Sequence, residues 1–192
     1  MVCEGEKTEP LYFHGLRQDE RLSSAHVRIM PSDRGTSPLQ VVEYAEHVFG
    51  KSGRAFERVY AVFDRDEHAG YAAALAAADR LDGRLLNDAR QAVAFKAVPS
   101  VPCFELWLLL HYEQVFEYFE RGEALQRLRR HIPDYDKAAT GIYVRTKPNL
   151  AAAGQWATWL RARFGPLPGN QPYTDVDRLV EVLFGLRNRA IV

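Results

Sequence analysis

Three short β-type runs, each handing over to a helical pattern, most limit what the first hundred residues can fold into. His26-Val27-Arg28-Ile29-Met30 alternates and stops at Pro31. Arg58-Val59-Tyr60-Ala61-Val62-Phe63 is β-branched and aromatic and ends in an acidic cluster. Gln91 to Val98 alternates and stops at Pro99. Between them, Ser37 can cap a helix with Pro38 at its first position, and Val42, Ala45 and Phe49 then share a face. Tyr71 to Leu81 is Ala-rich and ends before the turn signal Asp82-Gly83. Strands alternating with helices of this length predict βαβ units and a mainly parallel sheet.

After Pro102 the pattern changes. Phe104 to Tyr112 is apolar nearly all round, as expected of a helix buried on most sides. Glu123 to Arg130, Leu150 to Phe164 and Val176 to Leu186 are helical in pattern, and Thr174 with Asp177 resembles a capping box. The expected organisation is an α/β core over residues 1–112 and a helical extension over 113–192 packed on it.

Composition narrows the class. With 47% apolar and 26% charged residues the 192-residue chain reads as globular. No apolar run approaches the roughly 20 residues of a membrane span, and no basic stretch leads into an apolar one at the N-terminus. A cytoplasmic protein is expected. Two cysteines, Cys3 and Cys103, form neither a disulfide framework nor a zinc set. The 25 basic and 25 acidic residues cancel, which argues against coating nucleic acid by bulk charge and leaves local patches open. Arg127, Arg129, Arg130 and His131 form the densest such candidate.

Two acidic motifs carry the chemistry. Only Met1, Val2 and Cys3 precede Glu4, so any first strand is very short. Gly5 can take positive φ and lift the Glu4 carboxylate off the strand end. Thr8 is a candidate N-cap, with Pro10 in the first turn of the helix that follows. Glu4 is a candidate metal ligand or general base, and Lys7 a candidate phosphate contact. In the second motif, Asp64 and Asp66 follow the strand at Arg58–Phe63, and residues two apart in an extended chain face the same way. Hard cations such as Mg²⁺ or Mn²⁺ take oxygen ligands of this kind. In a parallel sheet both motifs fall at the C-terminal edge, where ligands of open α/β sheets bind. Alone, each motif reads more readily as a solvated loop or a helix cap than as a site; their pairing favours a site. Glu6, Glu9 and Glu67 read as charged neighbours. Arg65, His68, Glu105 and His111 are candidate substrate contacts. Glu105, in an apolar helix, needs a partner or a raised pKa.

At these residues the chain resembles the RloB family, whose core is related to Toprim domains. The resemblance lies in Cys3-Glu4-Gly5-Glu6-Lys7-Thr8-Glu9-Pro10 with Tyr12-Phe13, in Val62-Phe63-Asp64-Arg65-Asp66-Glu67-His68, and in Ser100 to His111. Weaker echoes are Tyr135-Asp136-Lys137 and Pro172 to Val176. The resemblance implies a Toprim-like Rossmannoid core in which Glu4, Asp64 and Asp66 bind Mg²⁺ or Mn²⁺. It also implies an effector nuclease of bacterial anti-phage defence, acting on DNA or RNA (tRNA included) beside an AAA-type ATPase. The alternative is a non-catalytic partner that regulates that ATPase; homodimerisation is left open.

Overall fold

The structure is a computed structural model that describes residues 1–65, 70–164 and 171–187. Its frame is one five-stranded sheet in the order β2-β1-β3-β4-β5, formed by β1 (Val2–Cys3), β2 (Met30–Pro31), β3 (Arg58–Asp64), β4 (Ala94–Val101) and β5 (Tyr173–Thr174). The first four strands are parallel and β5 is antiparallel to β4. This is the α/β, Rossmann-like architecture expected from the alternation of runs. The later helices are α4 (Glu105–Leu109), α5 (Arg121–His131), α6 (Ile142–Thr146), α7 (Leu150–Phe164) and α8 (Val176–Gly185); the earlier ones are α1 (Thr8–Asp19), α2 (Pro38–Lys51) and α3 (Tyr71–Leu81).

Strand alternation sorts the two faces. Val59, Ala61 and Phe63 pack on one side with Val41, Val42 and Ala45 of α2 and Ala74 and Ala78 of α3. Cys3, Val62 and Val98 pack on the other with Tyr12, Phe13 and Leu16 of α1 and the apolar run Phe104–Leu110. Leu128, Tyr143, Leu160 and Leu179, all from the helices after residue 112, join this same second cluster. Among the described residues, no helix is long and apolar enough to cross a membrane.

Local detail departs from expectation where tertiary pairing intervenes. The second strand lies at Met30–Pro31 rather than His26–Met30, because its partner β1 offers only Val2 and Cys3. Val27 and Ile29 are still buried, as their alternation requires. Proline is tolerated there because β2 is an edge. β4 starts at Ala94, since Val93 donates its N–H to the Leu85 carbonyl (2.8 Å) instead. It then runs through Pro99 to Val101: β5 pairs only with Ser100 and Val101, so the absent N–H interrupts no bond to it. Residues 173–174 of the expected helical extension return to the sheet as β5.

Two caps show the same division. Ser37 caps α2 as expected, its hydroxyl accepting from the Gln40 N–H while the Ser37 N–H donates to Gln40 Oε1. Thr174 and Asp177 do not form a capping box. Asp175 precedes α8, Thr174 Oγ1 accepts from the Val176 N–H (3.2 Å), and Asp177 is drawn away by Arg161.

Candidate functional site

In a sheet ordered 2-1-3-4-5, the chain leaves in opposite directions from β1 and β3, so a crevice opens between their C-terminal ends. Glu4 and Asp64 stand there. Glu4 follows β1, and its backbone N–H donates to the Val62 carbonyl (2.8 Å). Its Oε2 accepts from the Asp64 N–H (2.8 Å), so the Glu4 carboxylate spans the switch point. Asp64 ends β3 and is only 3% exposed.

Two more carboxylates converge from other elements. Glu9, in the first turn of α1, and Glu105, the first residue of α4, are both buried. Gly5 is not at positive φ. Its role is spatial, because a Cβ there would collide with the Glu9 carboxylate. Lys7, not Thr8, occupies the N-cap of α1; the Thr8 hydroxyl instead donates to the Lys137 carbonyl (3.4 Å). The resulting cleft of about 290 Å³ is lined by the carboxylates of Glu4, Glu6, Glu9, Asp64 and Glu105 and by the cations Lys7, Arg121 and Lys137.

Acid therefore exceeds base at a buried place, and protonation responds. Burial pushes the Asp64 carboxyl well above its ordinary range; Glu9, Glu4 and Glu105 push it further, and Arg121 opposes them. Burial also raises Glu9, with Glu105 adding to the rise and Arg121 and Lys137 pulling against it. Arg121 Nη2 lies 3.5 Å from Asp64 Oδ2. Glu105 accepts from the Tyr135 hydroxyl (3.3 Å) and has Lys137 Nζ at 3.8 Å. Its partner is thus the Tyr135-Asp136-Lys137 segment.

The donor set fits a hard divalent cation by its chemistry: it is all oxygen, largely buried and in excess of its counter-charges. Glu4 and Asp64 are the residues that could hold it. Among the described residues, no group of three or more His, Cys, Asp or Glu side chains is arranged to hold a metal ion. Mg²⁺ is commonly held by one or two carboxylates with water and substrate phosphate completing its shell.

The remaining sequence candidates separate. Asp66 and His68, with Glu67, lie outside the described residues. Arg65 donates its backbone N–H to the Ser100 carbonyl (2.9 Å) and lays its guanidinium over Tyr71, 5.8 Å from the ring centroid, without lining the acidic cleft. His111 is buried away from the cleft, with Nδ1 2.9 Å from the Trp107 carbonyl oxygen and its ring edge-on to Trp107. Burial lowers its pKa to about 4, so it is neutral. Lys7 lines the cleft, as does Glu105.

Three of the four residues of the α5 basic cluster are engaged within the protein, and Arg130 is exposed. Arg127 pairs with Glu113 (2.5 Å) and covers Phe119, while His131 stacks on Tyr112 and meets Glu113 at 3.1 Å. Arg129 donates to the Tyr135 carbonyl. Glu9, Arg121 and Lys137 are the cleft residues that pattern reading passed over. Among them Lys137 had a signal, since a buried Glu105 demanded a cation and the Tyr-Asp-Lys segment offered one.

No curated protein and no solved structure gives a significant match to the chain. A family model described as RloB-like protein matches residues 1–183. Covering nearly the whole sequence, both acidic motifs included, that match shows that the chain belongs to the RloB-like family.

Proposed function

We propose that this protein is a Mg²⁺- or Mn²⁺-dependent phosphodiesterase of Toprim type that cuts DNA or RNA as the effector of a bacterial anti-phage system, beside an AAA-type ATPase. One observation carries the reading: four buried carboxylates, Glu4, Glu9, Asp64 and Glu105, meet at the β1/β3 switch point together with Lys7, Arg121 and Lys137. Glu4 and Asp64, with Asp66 as the further expected ligand, would hold the cation. When bound, such a cation neutralises phosphate charge and makes water a usable nucleophile near neutral pH.

The chain's own groups do the rest. Lys7, Arg121 and Lys137 orient the phosphodiester and offset the charge that builds on its non-bridging oxygens. Glu9, whose proton affinity is raised, is placed to take the proton of the attacking water. Tyr135 and Lys137 hold Glu105 in one rotamer along the cleft wall.

The test incubates purified protein with plasmid, single strands and tRNA, in MgCl₂ or MnCl₂ and in EDTA. Metal-dependent cleavage that Asp64→Ala abolishes is the expected result; cleavage that persists in Asp64→Ala and in Glu4→Ala refutes the assigned site. The same question is put in cells with Asp64→Ala/Asp66→Ala. Loss of phage protection supports catalysis, and full protection favours a non-catalytic regulator of the ATPase.

A further inference from the structure

A second groove, one strand over from β1, has the opposite charge. It lies along the edge of the sheet between β2 and the C-terminal half of α2 and has a volume of about 280 Å³. Arg28 leads into β2, Arg34 follows it, and Lys51 ends α2; all three line the groove and are exposed. Tyr44, His47 and Lys51 repeat at helical spacing and so present one face of α2. Among the described residues, Asp33 is the one acid in the lining, and it holds the proton on the Tyr44 hydroxyl more tightly. Among the described residues, neither Arg28, Arg34 nor Lys51 is paired with a carboxylate. Arg34 instead donates to His47 Nε2 (3.2 Å), and His47 stacks on Tyr44. Desolvation lowers the proton affinity of His47, Arg34 and Lys51 lower it further and Asp33 opposes them, so these charges share one surface.

Three exposed cations against one carboxylate give this groove a local positive charge that suits an anion, in a chain whose net charge is zero. The active cleft explains which anion. Once its five carboxylates are ionised against three cations, the cleft repels a polyanion until a metal is in place. A nucleic-acid strand delivered there needs affinity from outside the cleft. The groove runs along the β2 side of the sheet: its Arg34 end lies beside the C-terminal strand edge, where Ser32 donates its N–H to the carbonyl of Cys3 (2.7 Å), the residue before Glu4, while Arg28 and Lys51 lie toward the other end of the strands.

We propose that the Arg28–Arg34–Lys51 groove is an exosite for the phosphate backbone of the nucleic-acid strand whose scissile bond enters the Glu4–Asp64 cleft. This rests on the phosphodiesterase reading for its orientation, and on the groove alone for binding. Backbone contacts of this type bind through counterion release, which weakens with salt by a slope of about 0.7 per neutralised phosphate on single strands.

Binding is measured by fluorescence anisotropy of a labelled 20-nucleotide single strand, DNA and RNA, in EDTA from 50 to 200 mM salt. Arg28→Ala/Arg34→Ala/Lys51→Ala is expected to lower the slope of log K against log salt by about 2. The control Arg80→Ala/Arg84→Ala/Arg90→Ala removes as many exposed cations elsewhere and is expected to leave the slope unchanged. Unchanged binding in the groove variant overturns the exosite, as does an equal loss in the control. Competition by inorganic pyrophosphate at the oligonucleotide's own concentration overturns a polymer ligand. The two readings fail separately. Groove-dependent binding without metal-dependent cleavage by the wild type supports the exosite and sinks the phosphodiesterase. Cleavage whose KM is untouched in the groove variant does the reverse.

Discussion

Replacing Asp64 by Asn removes one charge from the cleft and keeps the side-chain volume. Two effects oppose each other. The lost ion pair with Arg121 contributes little, on the order of 1 kcal/mol or less, because Arg121 is 40% exposed and the contact is 3.5 Å long. The gain is relief of a buried carboxylate, 3% exposed, that burial and the charges of Glu9, Glu4 and Glu105 all hold against ionisation. Every tenfold rise in proton affinity on folding corresponds to about 1.4 kcal/mol. For a chain of this size that is roughly 3–6 °C in Tm. Below about pH 4 the Asp64 carboxyl is protonated in both folded and unfolded chains and costs nothing. As pH rises, the unfolded chain releases this proton first, so the folded state loses stability until its own raised pKa is passed, and the full cost remains above it. Asp64→Asn is therefore expected to match wild type near pH 4 and to melt several degrees higher at pH 8, both in EDTA. With MgCl₂ or MnCl₂ at about a hundred times Kd the order reverses, because ligand linkage supplies roughly 2.7 kcal/mol to wild type alone, or about 5–11 °C. Scanning calorimetry at pH 4, 6 and 8, with and without metal, reads all of this. An Asn variant that melts below wild type equally at every pH, or gains as much from metal as wild type does, refutes the charge account of the cleft.

Other outcomes follow from the same geometry. Gly5→Ala displaces the Glu9 carboxylate and is expected to reduce kcat of nucleic-acid cleavage at least tenfold while moving Tm little, since the obstructing atoms end a flexible side chain. Tyr135→Phe removes the hydroxyl bonded to buried Glu105 and is expected to cost about 1.5–3 kcal/mol by urea unfolding, the range for a bond to a charged group. Arg161 spans from both guanidinium nitrogens to Asp177, and both side chains are largely buried. Arg161→Ala is expected to cost about 3–5 kcal/mol by stranding that acid, and adding Asp177→Leu to recover much of the loss. Trp107, fully buried, is expected to cost about 3–5 kcal/mol on truncation to Ala, read by denaturant midpoint.

Residues whose neighbours are local were legible without a structure. Tyr71–Leu81 and Leu150–Phe164 are helices at the residues their patterns indicate, and the Ser37–Pro38 start of α2 is where its cap chemistry puts it. These depend on interactions within a turn or two of the chain. The position of β2 did not follow from its own alternation, because a strand exists only opposite its partner and β1 is two residues long. Glu4 and Asp64 were legible for a related reason: each ends a β-type run, and parallel strands present such ends at one edge.

What only the tertiary structure decided is the company those two acids keep. Glu9 sits on a helix, Glu105 at the start of another, and Lys137 and Arg121 lie more than fifty residues beyond Asp64. No periodicity links such positions, and only packing of α1, α4 and α5 over the switch point brings them within reach. The same holds in reverse for His111 and the α5 arginines. Their residue types suggested phosphate contacts, but His111 is buried against Trp107, and Arg127 and His131 are engaged by Glu113. The sequence determined which acids end the strands. Folding set the dielectric and the counter-charges around them, and those determine how tightly each acid holds its proton and where a cation can bind.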